Sequence, residues 1–156
     1  MPDEEHDEQQ EERHFNRQEA EKLLPLLERL LTGARDRKKR AEEIEGELSE
    51  VRARILHAGG LLPSYGRLAE RKLEMDSCLG AIREAIAQIH RQGCLVKDLD
   101  LGLIDFPTLV GDETVYLCWK LGEDRIAFWH RTDEGYAARK PLDHAGESGP
   151  APFKPN

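Results

Sequence analysis

Two apolar seams separated by a glycine-rich break constrain this chain more than any other feature. From Leu27 the apolar positions recur at intervals of three and four, through Leu30, Ala34, Ala41, Ile44, Leu48, Val51 and Ile55, with Arg37 as the interrupting polar residue. A repeat averaging about 3.5 residues keeps one stripe of a helix facing a partner, so the segment predicts a coiled-coil-like helix sustained for about four heptads. Gly59-Gly60 and Pro63 mark its end. A second seam follows at Leu68, Met75, Leu79, Ile82, Ile86 and Ile89, with Lys72 as its polar member and Gly93 as its C-cap. Arms of 25–57 and 66–92 are closely matched, about 40–50 Å each at about 1.5 Å per residue, and close as one antiparallel hairpin. Two helices leave one side of each seam poorly covered, so a homodimer forming a four-helix bundle is expected through the hairpin.

Asn16 followed by Glu19 is a helix-start signal. Pro25 removes a helical hydrogen bond and clashes one turn back, so the expectation is a short helix over 17–24 and a restart at Pro25. Beyond Gly93 the pattern changes to short β-type runs at 94–97, 101–106, 115–120 and 125–131. Centring the last turn on Gly122-Glu123 pairs Trp119 with Ile126, Leu117 with Phe128 and Val115 with His130. One face of that hairpin is then apolar and needs a lid, which the leucine-rich stretch from Leu23 to Leu31 supplies. The other face carries Tyr116, Cys118, Lys120, Arg125, Ala127, Trp129 and Arg131. The expected fold is α+β: a long antiparallel helical hairpin followed by a small antiparallel β-meander.

The chain divides accordingly into a disordered acidic tail (1–13), the hairpin with its short N-terminal helix (14–92), a small sheet packed on the hairpin base (93–142) and a Gly/Pro/Ser-rich disordered tail (143–156). The length of 156 residues suits one domain, and 38% apolar residues suffice for one modest core. Asp3, Glu4, Glu5, Asp7, Glu8, Glu11 and Glu12 against Arg13 hold −6 of the net −8, so the remainder is nearly neutral at −2. No run approaches the ~18 consecutive apolar residues of a membrane span, and the N-terminus lacks a basic start and apolar core of a secretory signal, so a cytoplasmic location is expected. Cys78, Cys94 and Cys118 are odd in number and lack C-x-x-C spacing, which argues for free buried thiols over a disulfide framework or a structural zinc site.

A set of C-terminal residues points further: Gly93, Val96-Lys97-Asp98, Gly102-Leu103-Ile104-Asp105-Phe106-Pro107, Leu117-Cys118-Trp119-Lys120-Leu121-Gly122-Glu123, Trp129-His130 and Gly135 with Arg139-Lys140-Pro141-Leu142. Together with Phe15, Glu19-Ala20 and Leu24-Pro25 they resemble a bacterial family known as domain of unknown function 2203, over residues 14 to 142. The resemblance implies a shared fold and carries no activity, substrate, cofactor or catalytic residue.

Chemistry-bearing residues gather near strand ends and turns: Asp100, Asp105, Glu123, His130 and Arg139. Carboxylates beside an imidazole perform acid–base work or ligate a divalent ion. Glu123 and His130 sit at opposite ends of one strand, about 20 Å apart at about 3.3 Å per residue, so Asp105, His130 and Arg139 are the subset that can converge. Asp105 and His130 are the metal candidates, but their spacing matches no metal motif, and no metal or cofactor is expected. The bland alternatives are a core histidine bonded to a carboxylate and an Arg139 ion pair with Asp105 or Asp133. Tyr116, Trp129, Arg125 and Arg131 form the candidate binding patch, suited to a protein partner or to single-stranded nucleic acid, with cross-strand aromatic packing as the bland alternative.

The basic block Arg35-Asp36-Arg37-Lys38-Lys39-Arg40 offers grip on phosphates, yet such runs are usually solvated helix faces. The hairpin tip, Ala58 to Gly66, has no carboxylates to hold magnesium. The leading expectation is a non-enzymatic protein-interaction or regulatory module, with the hairpin as docking arm and the sheet presenting the partner surface. The alternatives are a metal-dependent or acid–base enzyme centred on Asp105, His130 and Arg139, and a nucleic-acid or transcription accessory factor using the basic arm.

Overall fold

The structure is a computed structural model, and it describes residues 13–57, 59 and 65–142. Of the tails expected to be disordered, 1–13 and 143–156, all but Arg13 lies outside the described residues, as does the carboxylate-free hairpin tip at 58 and 60–64; Arg13 itself donates to the Gln92 carbonyl at 2.9 Å. The order of elements is α1 (Arg17–His57), α2 (Tyr65–Arg91), β1 (Leu95–Asp98), β2 (Leu103–Val110), β3 (Glu113–Lys120), β4 (Phe128–Arg131), a 3-10 turn (Tyr136–Ala138) and β5 (Lys140–Pro141). The fold is α+β, two helices followed by a five-stranded antiparallel sheet in simple sequence order.

Helix α1 opens as expected. The Asn16 side chain accepts from the Glu19 amide at 2.8 Å and its own amide donates to the Glu19 carboxylate at 2.8 Å, which satisfies donors that a helix start leaves free. The expected break at Pro25 does not occur, and α1 runs on for 41 residues with Pro25 inside it. Helix propensity loses here to packing. Ala20, Leu24, Leu27 and Leu31 on either side of the proline are buried in one core cluster, so breaking the helix would pull them off the sheet. Farther along, Ala34, Ala41, Ile44 and Leu48 are buried, and Arg40 and Arg71 bridge the arms to Glu74 (2.6 Å) and Glu47 (2.9 Å). Gly93, at φ +96°, turns the chain out of α2 into the sheet, where its missing side chain admits Arg13.

The sheet puts one face on the helices. Ile104, Phe106, Val115, Leu117, Trp119 and Trp129 join Ile126, Phe15, Ile89 and the α1 leucines in the core. Phe15 meets Phe106 edge to face at 5.4 Å between ring centres. The expected pairing of the last two long strands is off by one residue. The observed partners are Leu117 with Trp129, Tyr116 with His130 and Cys118 with Phe128, because the connection is a longer loop in which Trp119 Nε1 donates to Glu123 O at 2.9 Å. The amide of Ile126 donates to the Glu21 carboxylate of α1 at 3.2 Å and holds that loop in place. A slip of one residue exchanges the faces of a strand, so Trp129 enters the core and His130 moves to the outer face. A fifth strand, absent from the expectation, follows as Phe128 pairs with Pro141 and Trp129 with Lys140.

Candidate functional site

The outer face of the sheet, away from the helices, holds the chemistry. Asp105 on β2 lies directly across from Cys118 on β3, and Tyr116, two residues back on β3, lies across from His130 on β4. Side chains at i and i+2 share a face, so Asp105, Cys118 and His130 converge from three adjacent strands. All three are buried, at 1%, 1% and 2% exposure. Their ligand atoms lie within 4.8 Å of one another, a grouping of the kind that holds a metal ion.

The hydrogen bonds restrict where protons sit. His130 Nδ1 is 2.7 Å from the Arg131 carbonyl oxygen, and a carbonyl only accepts, so Nδ1 carries a hydrogen. His130 Nε2 is 3.0 Å from Asp105 Oδ1, and that contact also needs a proton between its atoms. The pair therefore holds one proton more than a neutral imidazole beside a bare carboxylate. The Cys118 thiol is pushed up to about 12 by its burial, and further by the Asp105 charge and by donating to that carboxylate, against a smaller opposing pull from Arg139. It stays protonated at neutral pH and is no nucleophile there.

Contrary to the expectation that Asp105, His130 and Arg139 converge, Arg139 does not join Asp105. Its guanidinium donates to Glu123 at 2.6 Å and to the Cys118 carbonyl at 3.2 Å. It stacks on Phe128 at 4.1 Å and on Tyr136 at 5.0 Å, closing the edge of the outer face. Its Nε is buried with no hydrogen-bond partner among the described residues. Asp100 pairs with Lys38 instead, so the five-residue group read from the sequence separates into three.

The four patch residues do not share a surface either. Trp129 faces the core, Tyr116 packs edge-on to His130 at 5.6 Å on the other face, Arg125 stands in the loop and Arg131 ends β4. The basic block is partly neutralised, since Arg40 bonds Glu74 and Lys38 bonds Asp100. A groove of about 430 Å³ opens elsewhere, between α1 and the β3–β4 loop, over Leu24, Pro25 and Trp119. Of its carboxylates, Glu21 is engaged with Arg17 and Glu123 with Arg139.

Cys118 is the member that sequence reasoning missed. Once the strands are paired one residue differently, it falls on the face of His130, and the wrong register had hidden it.

These features define a class of protein: a helical hairpin carrying a five-stranded meander whose outer face buries an Asp–Cys–His constellation. The chain matches the family model described as "Uncharacterized conserved protein (DUF2203)" over residues 13–142, and it belongs to that family. No curated protein and no solved structure matches it.

Proposed function

We propose that the protein is a non-catalytic association module that works through its helical hairpin, with a second copy of the chain as the first occupant of the open seam. The observation behind this reading is an asymmetry between the arms. On α1 the seam residues Leu27, Ala34, Ala41, Ile44 and Leu48 are buried and only Leu30, Val51 and Ile55 are half-buried. On α2, of the seam residues, Ile89 is buried while Leu68, Met75, Ile82 and Ile86 are half-buried and Leu79 is exposed. A stripe of that length on a hairpin is covered economically by the same stripe of a two-fold mate, which gives four packed helices.

Catalysis at Asp105 and His130 fits the geometry less well. Their side chains are sealed from solvent, and a general acid or base must reach its substrate within hydrogen-bond distance. A cytoplasmic setting agrees with three buried unpaired thiols, which persist in a reducing compartment. Among the described residues, no helix is long and apolar enough to cross a membrane.

Multi-angle light scattering on the full chain tests the reading. A particle of twice 17.8 kDa is expected, and Leu79→Glu, at a position 41% exposed in the single chain, should return it to 17.8 kDa with unchanged circular dichroism. A wild-type chain that stays at 17.8 kDa up to high concentration would remove the self-association reading.

A further inference from the structure

We propose that Asp105, Cys118 and His130 form a buried binding site for a divalent ion of the zinc class, which locks β2, β3 and β4 together. Four observations converge on this.

The donor set is the first. One thiol sulfur, one imidazole nitrogen and one carboxylate oxygen lie within 4.8 Å of each other. Thiolate with imidazole selects zinc-like ions over magnesium or calcium, which prefer oxygen. Bonds of about 2.0–2.3 Å in a tetrahedral site set ligand atoms roughly 3.3–3.8 Å apart. The 3.0 Å between His130 Nε2 and Asp105 Oδ1 has to widen by a few tenths of an ångström, and the widest separation in the cluster, at most 4.8 Å, has to close by up to about 1 Å.

The second is the orientation of the histidine. Metal-ligating imidazoles donate their other N–H to a carboxylate or backbone carbonyl, which fixes the ring and its tautomer. His130 does this through Nδ1 to the Arg131 carbonyl at 2.7 Å, and so presents Nε2 to Asp105.

The third is charge. The resting cluster holds a shared proton between His130 and Asp105 and a second on the Cys118 sulfur, and it is neutral as a whole. On binding, Nε2 and Sγ each become a ligand lone pair and both protons leave to solvent. A divalent ion supplies two positive charges in their place, opposite one carboxylate and one thiolate. The site is neutral before and after, so burial in the sheet imposes no net charge.

The fourth is burial itself. At 1–2% exposure the three side chains suit a closed structural centre rather than an open catalytic one. The fourth ligand position falls to the second oxygen of Asp105 or to one water.

Cobalt(II) is the direct probe, because a thiolate–cobalt bond gives a near-ultraviolet charge-transfer band and a tetrahedral site gives strong visible bands. The full chain, refolded with cobalt chloride, should show both at one ion per chain and release about two protons per ion. Zinc chloride should displace the cobalt. It should also raise the thermal midpoint by roughly 5–10 °C at a hundredfold excess over its dissociation constant. The charge-transfer band should vanish in Cys118→Ser and persist in Cys78→Ser and Cys94→Ser. Folded wild-type protein with no such band and no zinc-dependent midpoint would overturn the proposal, as would a band that survives Cys118→Ser. The cobalt spectrum and proton count are read on wild type, so they decide the matter even if a variant misfolds.

Discussion

At Asp105 the structure separates two roles that one carboxylate usually combines, accepting hydrogen bonds and carrying charge. Asparagine keeps the shape. Its amide can donate to His130 Nε2 while its carbonyl accepts the Cys118 thiol, so every polar atom of the cluster stays satisfied. Asp105→Asn is therefore expected to cost less than about 1 kcal/mol of metal-free stability, whereas Asp105→Ala strands a buried imidazole and should cost about 2–4 kcal/mol. Urea unfolding of both variants checks the ordering, and equal losses would show that the hydrogen bonds are not what matters. The second titratable case is Cys94, whose thiol donates to the Ile89 carbonyl at 3.3 Å and is pushed up to about 11 from 9.0 by burial. In the unfolded chain this thiol ionises from about pH 9, but in the folded chain only near 11, so the unfolded state loses its proton first. Stability contributed by the neutral thiol is complete below pH 9 and falls by about 1.4 kcal/mol per pH unit between 9 and 11. Cys94→Ala should remove that share of the slope from a stability–pH curve measured by denaturant titration, leaving the equal share that the Cys118 thiol contributes over the same range, whatever offset its small cavity adds.

Among the elements, the tightest constraint falls on the β1–β2 turn. Gly102 sits at φ +69°, and an added Cβ would stand 2.6 Å from the Leu121 Cβ, while its carbonyl accepts from the Leu121 amide at 2.9 Å. Gly102→Ala meets both the left-handed backbone penalty and a clash it cannot turn away from, an expected loss of about 2–4 kcal/mol. Gly111, also at positive φ but with nothing among the described residues within 4 Å, should lose only the backbone share on the same substitution, and comparing the two midpoints isolates the clash. These elements also show what the sequence made legible. The seams, the Asn16 cap and the Gly93 turn are local signals in which spacing and residue type state the structure directly, and they place the helices to within a few residues. Pro25 misled because its cost is local while the leucines that override it act through the sheet. The β3–β4 register misled because two plausible turns differ by one residue, and of the contacts that decide it, Trp119 to the Glu123 carbonyl is a side-chain bond no turn rule anticipates and Glu21 to the Ile126 amide links groups 105 residues apart. The Asp105–His130 contact was within reach of sequence reasoning. The third member, Cys118, was not.

For the whole molecule the question is what holds the hairpin arms together and what lies beyond them. The ion pairs that cross the arms, Arg40 with Glu74 and Arg71 with Glu47, have side chains 34–45% exposed. Exposed pairs of this kind contribute little and are screened by salt, so the seam must do most of the holding. If the open half of the α2 seam is covered by a second copy, unfolding also separates two chains, and stability depends on concentration. Each tenfold increase in protein should add about 1.4 kcal/mol and raise the thermal midpoint by about 2–4 °C. Sodium chloride at about 1 M should leave that dependence in place, because apolar contacts are not weakened by screening. Leu79→Glu should abolish the dependence while leaving the midpoint close to that of the dilute wild type, since at 41% exposure Leu79 contributes modestly to the single chain. A midpoint independent of concentration, or a dependence that disappears in high salt, would place the associating surface on the charged faces of the hairpin instead of its seam.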